Sequence, residues 1–284
     1  KTAEVYPTAG LEITEFTEDA YTAIETDLHT YTNDYRDGTS YKDEYYSDET
    51  TGLTSEQYTQ LKQKMLKSVY QNGGFYIGKY ETGTETARTS GDASTAPTET
   101  PVIKPNAYPY NYVTCSQAQT LASNMEHGDR TTSLLFGVQW DLVMKYLETK
   151  GTAQADLKTD STSWGNYSNN AWNITNENLK YAVKARSYPY DLGSWTTATE
   201  KSKTSNESIL LSTGASENFS KMGIYDLAGN VLEWTLEYTS STHFPCASRG
   251  GNYNNSGSSI PASIRYSVHT TGLYDGIGFR LALY

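Results

Sequence analysis

The chain has 284 residues, with 33 acidic against 22 basic side chains and only two cysteines. That length can bury a sizeable core in one large or two small domains, and two cysteines allow one disulfide at most, which is no framework. The net charge of -11 argues against nucleic acid and anionic membrane surfaces as partners, and no apolar run approaches the length of a membrane-spanning helix.

Residues 1–72 are predicted to form an acidic, partly helical N-terminal extension. Residues 1–60 hold 14 acidic and 3 basic side chains, so the net charge of the whole chain lies there. A helix is predicted to start after Thr54, because Tyr58, Leu61, Met65 and Val69 recur at helical spacing. The run Asn72-Gly73-Gly74 ends it and marks the expected boundary to a second domain over 73–284.

The rest of the chain is predicted to mix helices and strands. The pattern indicates a strand over 75–80, a linker-like loop over 82–106, and helices over 114–125 and 137–150. Residues 151–222 are expected to be mostly irregular, with short strands. Strand-type runs then follow over 225–235, 249–253 and 277–284.

The common catalytic signatures are missing from this sequence. It has no Gly-rich phosphate loop, no HExxH, no CxxC and no Gly-x-Ser-x-Gly. One acidic constellation stands out, formed by Asp226, Gly229, Val231 and Glu233. A turn of this kind could direct two carboxylates and two backbone carbonyls at one hard cation such as calcium. The alternative is a turn with a buried Glu bonded to backbone amides, and the residues alone favour that alternative.

Several stretches resemble the formylglycine-generating-enzyme, or sulfatase-modifying-factor, family. They follow the family's order and are Phe75-Tyr-Ile-Gly-Lys-Tyr-Glu81, Tyr112-Val-Thr-Cys-Ser-Gln-Ala118, Leu135-Phe-Gly-Val-Gln-Trp-Asp141, Gly223-Ile-Tyr-Asp-Leu-Ala-Gly-Asn-Val-Leu-Glu-Trp-Thr235, Arg249-Gly-Gly-Asn-Tyr253 and Gly278-Phe-Arg280. The resemblance implies an α+β, C-type-lectin-like domain over about 73–284. It also implies a calcium site at the family's turn, on the positions of Asp226, Gly229, Val231 and Glu233.

The resemblance covers the fold but departs from the family's chemistry. The family's enzymes hold copper on two cysteines between the stretches matched here by Arg249-Gly-Gly and Gly278-Phe-Arg280. That interval, 254–277, contains no cysteine in this chain. The sequence therefore predicts neither copper nor oxidase activity, although a copper-dependent oxidase of the formylglycine-generating type remains the competing hypothesis.

Residues 247–284 contain no Lys, Glu, Gln, Met or Trp, although the rest of the chain has 51 of them. These are the residues that codons ending in a pyrimidine cannot encode. Diversity-generating retroelements randomise adenines in Asn-type codons, and their variable proteins resemble this chain in carrying the varied stretch near the C-terminus of a C-type-lectin-like fold. An ordinary small-polar loop in a fixed-sequence, lectin-like adhesin is the alternative.

The candidate variable residues predict a ligand-binding surface. Tyr gives rigid amphipathic contact area, while Ser and Asn adapt their hydrogen bonds, and exposed Ile260, Ile264 and Leu273 would suit a binding patch. The expected ligand is a protein or a cell-surface receptor, and the expected location is a phage particle or a bacterial surface. The candidates are Tyr253, Asn254, Asn255, Ser256, Ser259, Ile260, Ser263, Ile264, Tyr266, Ser267, Val268, His269, Leu273, Tyr274 and Asp275.

Overall fold

The computed structural model describes residues 7–36, 40–125, 128–185 and 192–284, and it combines six α-helices with fifteen strands in those ranges. The helices are α1 (Glu18–Tyr31), α2 (Asp48–Thr51), α3 (Ser55–Asn72), α4 (Cys115–Ser123), α5 (Gly137–Thr149) and α6 (Gln154–Lys158). The strands are β1 (Tyr41–Lys42), β2 (Tyr76–Ile77), β3 (Gly83–Thr84), β4 (Tyr108–Pro109), β5 (Thr132–Leu134), β6 (Trp172–Val183), β7 (Thr196–Lys203), β8 (Ile209–Leu211), β9 (Ser220–Lys221), β10 (Ile224–Tyr225), β11 (Leu232–Thr239), β12 (Cys246–Arg249), β13 (Arg265–Val268), β14 (Ile277–Phe279) and β15 (Leu281–Leu283).

The three predicted helices form where their end signals place them. Helix α3 starts with a capping box, in which Thr54 and Gln57 each bond to the other's backbone N–H, and it ends at Gly73 with a φ of 71°. Helix α4 has the same box between Thr114 and Gln117. These local bonds satisfy the free N–H groups of the first turn, which explains why the starts of these two helices could be predicted.

The central sheet has β11 in its middle. Strand β12 pairs antiparallel with β11 on one side, and β13 follows as the outer strand, while β14 pairs parallel with β11 on the other side. Strand β1 from the extension also pairs with β11, at Thr239 and Tyr238. Residues 250–276 are therefore fixed to the sheet at both ends, by β12 before them and by β14 after them.

All four predicted strands are shorter or divided in the structure: the strand predicted over 75–80 is reduced to β2, and the run over 225–235 is divided into β10 and β11. The strand predicted over 249–253 ends at Arg249, because Gly250 and Gly251 have φ values of 93° and 76° and turn the chain out of the sheet. The strand predicted over 277–284 is divided at Arg280 into β14 and β15, which belong to different sheets. Strand β15 pairs with β2 and β5.

Residues 151–222 are more regular than the sequence predicted. They contain the paired strands β6, with 12 residues, and β7, with 8 residues. The register shifts between Thr175 and Leu179, which indicates a bulge. A bulge reverses the alternation of inward and outward side chains, so the hydrophobic pattern of β6 does not keep one period of two along its length. The long strand was therefore not predicted.

The extension and the following residues share one hydrophobic core. Ile24 and Leu28 of α1 and Met65 of α3 are buried in the same cluster as Trp234 of β11 and Phe279 of β14. The division of the chain after residue 72 stays a prediction about domains, and the core shows that helices before that point share a hydrophobic cluster with strands after it. Among the described residues, no helix is both long and apolar enough to cross a membrane.

The loop over 82–106, which resembles a linker in composition, is fixed by side chains that bond to backbone. Arg88 donates to the carbonyls of Asn111 and Tyr112, and Gln117 of α4 donates to those of Asp92 and Thr95. The loop also lies close to Leu273: a Cβ atom placed on Gly91 would lie 3.2 Å from a methyl group of that side chain.

Candidate functional site

The fifteen candidate variable residues differ in their exposure. Five are exposed: Asn254, Ser259, Tyr266, His269 and Tyr274. Eight are half-buried: Asn255, Ser256, Ile260, Ser263, Ile264, Ser267, Leu273 and Asp275. The remaining two, Tyr253 and Val268, are buried.

Tyr253 and Val268 are corrections to the predicted surface. Tyr253 is 0% exposed, packs in a small cluster with Leu210 and Val231, and donates its hydroxyl to Asp275 at 2.6 Å. Val268 lies in the main core at the end of β13. Ile260, Ile264 and Leu273 are half-buried, so the argument from exposed aliphatic side chains does not hold.

The exposed aromatic side chains lie around the outer strand β13. Tyr266 is 47% exposed and Tyr274 is 46% exposed. A Cβ atom on Gly272 would lie 2.8 Å from Val268 and 2.9 Å from the Tyr274 ring, so this ring sits beside the strand on which Tyr266 lies. Aromatic rings in this arrangement offer rigid contact area to a ligand.

The polar candidates lie against the loops that precede β6 and β8. Asn254 accepts a hydrogen bond from the Ser208 hydroxyl at 2.9 Å, and the carbonyl of Asn255 accepts from both the N–H and the hydroxyl of Ser168 at 2.8 Å. The N–H of Gly257 donates to Asn169. The segment after β12 is thus seated on fixed backbone, and part of its polar side-chain capacity is already used within the protein.

A buried ring of four charges fixes β12 and β13, the strands on either side of residues 250–264. Arg249 of β12 donates to Asp141 and Glu237, and Arg265 of β13 donates to the same two carboxylates. Burial alone would raise the pKa of Glu237, but the guanidinium groups of Arg265 and Arg249 outweigh it and lower this pKa to about 2. The sequence did not identify this ring, because its members lie far apart in the chain.

The predicted calcium turn is closed by protein donors. Both carboxylate oxygens of Glu233 accept from Arg280, at distances from 2.7 to 3.1 Å, and Asp226 accepts from the N–H of Gly214 at 2.6 Å. Asp226 and Glu233 are 2% and 1% exposed. A calcium ion would have to compete with a guanidinium group for Glu233, so this donor set does not fit the ion well.

A third carboxylate, missed by the sequence analysis, lies beside the same turn. Glu81 accepts hydrogen bonds from the Asn230 side chain and from the N–H of Val231, at 2.7 and 3.1 Å. Burial raises the pKa of Glu81 well above its usual range, and the charges of Asp226 and Glu233 raise it further. Burial, with a smaller effect of Glu233, also raises the pKa of Asp226 to about 7, although the Gly214 N–H and Arg280 oppose this change.

These three carboxyl groups lie near a single buried guanidinium group, that of Arg280. One positive charge cannot balance three negative charges, and proton binding by the carboxyl groups reduces this imbalance. Within the described part of the chain, no group of three or more His, Cys, Asp or Glu side chains is arranged to hold a metal ion. Calcium at Asp226, Gly229, Val231 and Glu233 stays a prediction.

The two cysteines lie in the core. Both are buried and unpaired as disulfides. The Cys115 thiol contacts the carbonyl of Thr235 at 3.4 Å, and the Cys246 thiol contacts that of Thr50 at 3.7 Å. A hydrogen bond with Cys246 and burial raise the pKa of the Cys115 thiol well above its usual range, and a protonated buried thiol is a poor metal ligand.

A comparison with protein families agrees with this architecture. The family model described as the sulfatase-modifying factor enzyme 1-like domain matches residues 46–284. Among solved structures, Treponema denticola variable protein 1 is similar at 19% identity and a TM-score of 0.28, covering 56% of this chain and 49% of that chain. The aligned part thus spans about half the length of that protein. No curated protein matches.

Proposed function

The chain belongs to the family of sulfatase-modifying factor enzyme 1-like domains, and from the surface that it builds on this fold we propose that it is a ligand-binding protein. In this proposal, the C-type-lectin-like scaffold presents a C-terminal surface whose sequence is diversified by a retroelement. The expected ligand is a protein or a cell-surface receptor, and copper has no part in the proposal.

One observation carries this proposal: the segment after Arg249 combines exposed, uncharged side chains with ends that are rigidly fixed. Tyr266, His269 and Tyr274 are exposed, and the chain around them is fixed at Arg249 and Arg265, which are anchored in the buried ring of charges, and at β14, which pairs with β11. A scaffold of this kind tolerates replacement of the exposed side chains, because substitutions at the surface usually change stability little.

The missing residue types support diversification in particular. The stretch without Lys, Glu, Gln, Met and Trp includes every exposed candidate. A solvent-exposed loop normally carries Lys and Glu, since these residues are found mostly at the surface. Their absence therefore suits a codon constraint better than it suits the chemistry of a surface loop.

The flanking DNA tests the proposal. We expect an adenine-rich near-copy of the last codons of the gene, beside a reverse-transcriptase gene, with mismatches confined to adenine positions of the copy. A locus that has neither feature would favour a fixed-sequence, lectin-like adhesin.

A copper titration separates this proposal from the enzyme hypothesis. The purified chain is titrated with Cu(I) in competition with a chromogenic chelator, and the double variant C115S/C246S is the matched control. We expect no tight stoichiometric site in either protein, because both thiols are buried. One equivalent of tightly held Cu(I) that is lost in the variant would support the oxidase hypothesis instead.

A further inference from the structure

The stretch without Lys, Glu, Gln, Met and Trp extends further back than the last strands of the fold. Glu237 is the last residue of these five types in the chain, so the same restriction covers everything from Tyr238 onward. This longer stretch includes the loop between β11 and β12, residues 240–245, which lies outside the segment that follows Arg249.

That loop has exposed side chains on a backbone that is held closed. Ser240, Thr242, His243 and Phe244 are exposed, whereas the flanking Thr239 and Pro245 are buried. Thr239 closes the loop, since its N–H donates to the carbonyl of Pro245 at 2.8 Å and its hydroxyl donates to that of Phe244 at 3.0 Å. The loop therefore has the same division between fixed backbone and free side chains as the segment after Arg249.

The loop is continuous with the aromatic part of the candidate surface. The Phe244 ring is 42% exposed, and its centroid lies 4.1 Å from that of the His269 ring. His269 follows directly after β13, on which the exposed Tyr266 lies. A ligand that covers His269 would thus also meet Phe244.

We propose that the loop from Ser240 to Phe244 is a second diversified segment of the ligand-binding surface, and that Phe244 contacts a protein ligand together with His269. This inference rests on the proposed function and adds a set of residues to it. The loop's exposed side chains carry hydroxyl, imidazole and phenyl groups and no fixed charge, which favours a protein surface over a polyanion. Phe is enriched in the interfaces between proteins, and Ser supplies adaptable hydrogen bonds in antibody paratopes.

Sequencing of the gene from many members of the source population tests the diversification. We expect substitutions at the codons of Ser240, Thr242, His243 and Phe244, at positions that are adenine in the near-copy, as well as at those of Tyr266, His269 and Tyr274. The codons of Glu237 and Arg249 should stay constant. Variation that starts only after Cys246 would overturn this inference and leave the proposed function standing, whereas no variation and no near-copy anywhere would overturn both.

A thermal measurement tests whether the loop can vary without loss of the fold. F244S should change Tm by less than about 2 °C, because exposed side chains contribute little to stability. The matched control is Thr239→Ala at the end of β11, which removes the hydroxyl that donates to the Phe244 carbonyl and should lower Tm more. If F244S lowers Tm as much as the control does, Phe244 is structural and the inference is wrong.

A display experiment tests the class of ligand. The full chain is displayed with positions 240, 242, 243, 244 and 269 randomised, and binders are selected against lysozyme and, separately, against dextran. We expect lysozyme binders that lose at least tenfold in affinity when residues 240–244 are restored to their present sequence. Binders that keep their affinity after this restoration, or that arise on dextran alone, would overturn the assignment of the loop to a protein ligand.

Discussion

Arg249 and Arg265 lie side by side in the core and donate hydrogen bonds to the same two carboxylates. The acceptors are Asp141 and Glu237, and the four distances lie between 2.5 and 3.0 Å. All four side chains are at most 2% exposed. The ring joins α5, β11, β12 and β13, so both ends of the segment between the two arginines are fixed to the fold.

Removing one carboxylate from this ring should destabilise the protein strongly. In Glu237→Gln, the two buried guanidinium groups would share the single charge of Asp141, with which Arg36 also pairs at 3.5 Å. Breaking a buried ion pair by removing one partner costs about 3–5 kcal/mol, because the remaining charge is left uncompensated. We expect a loss of this size in the free energy of unfolding, measured by urea denaturation.

An exposed ion pair provides the control for this prediction. Lys104 and Glu85 form a salt bridge in which both side chains are largely exposed. Lys104→Gln should therefore change the unfolding free energy by no more than about 1 kcal/mol. Equal losses in the two variants would mean that the ring does not fix the segment.

The buried carboxyl groups of Glu81, Asp226 and Glu233 outnumber the one arginine beside them, and this predicts that stability depends on pH. Asp226 has a pKa of about 7 in the folded protein, against an ordinary value of 3.8. Between these values the folded state binds the additional proton, so the contribution of this carboxyl group to stability is greatest below about pH 4 and is lost as the pH rises toward 7.

Asp226→Asn tests this dependence. Asn cannot ionise, its side-chain oxygen can still accept from the Gly214 N–H, and it tolerates the φ of 60° at this position. We expect the variant to lose less stability than the natural chain when Tm is measured from pH 4 to pH 8. Parallel pH profiles for the two proteins would contradict the raised pKa.

Much of the scaffold was predictable because its signals are local. The capping pairs Thr54–Gln57 and Thr114–Gln117 lie three residues apart, and each determines a helix start. Gly250 and Gly251 turn the chain through φ values that glycine adopts readily, whereas the strand predicted over 249–253 ran through both of them. These features depend on neighbours in sequence and need no knowledge of the tertiary fold.

The site was less predictable, because its exposure depends on distant contacts. Tyr253 and Tyr266 are the same residue type in the same segment, yet Tyr253 packs on Leu210 and Tyr266 is exposed. The Glu81 carboxylate pairs with Asn230, 149 residues away. Only the resemblance of the stretch that ends at Glu81 to the family's opening strand could have drawn attention to it.

Removal of calcium should leave the stability of the chain unchanged. Arg280 already neutralises Glu233, and Asp226 accepts from backbone. We therefore expect no calcium to bind at this turn, and the same Tm in excess EDTA and in millimolar calcium. An ion that bound only the folded state would raise Tm. A Tm that falls in EDTA and recovers with calcium, but not with magnesium, would instead establish the predicted calcium site.

The contrast between Trp234 and the exposed tyrosines tests the proposed division between scaffold and surface. Trp234 is 1% exposed, lies in the main core and donates its indole N–H to the carbonyl of Val113. Trp234→Ala should therefore cost about 3–5 kcal/mol of unfolding free energy, through lost burial and the cavity that remains.

The double variant Y266A/Y274A should behave in the opposite way. Both rings are nearly half exposed, and surface substitutions usually change stability by about 0.5 kcal/mol or less. Once a ligand has been identified, the same variant should weaken binding by about 2 kcal/mol or more, since exposed aromatic anchors tend to dominate binding energy. A large loss of stability in Y266A/Y274A, with unchanged ligand affinity of the folded fraction, would show that these rings belong to the core and not to the binding surface.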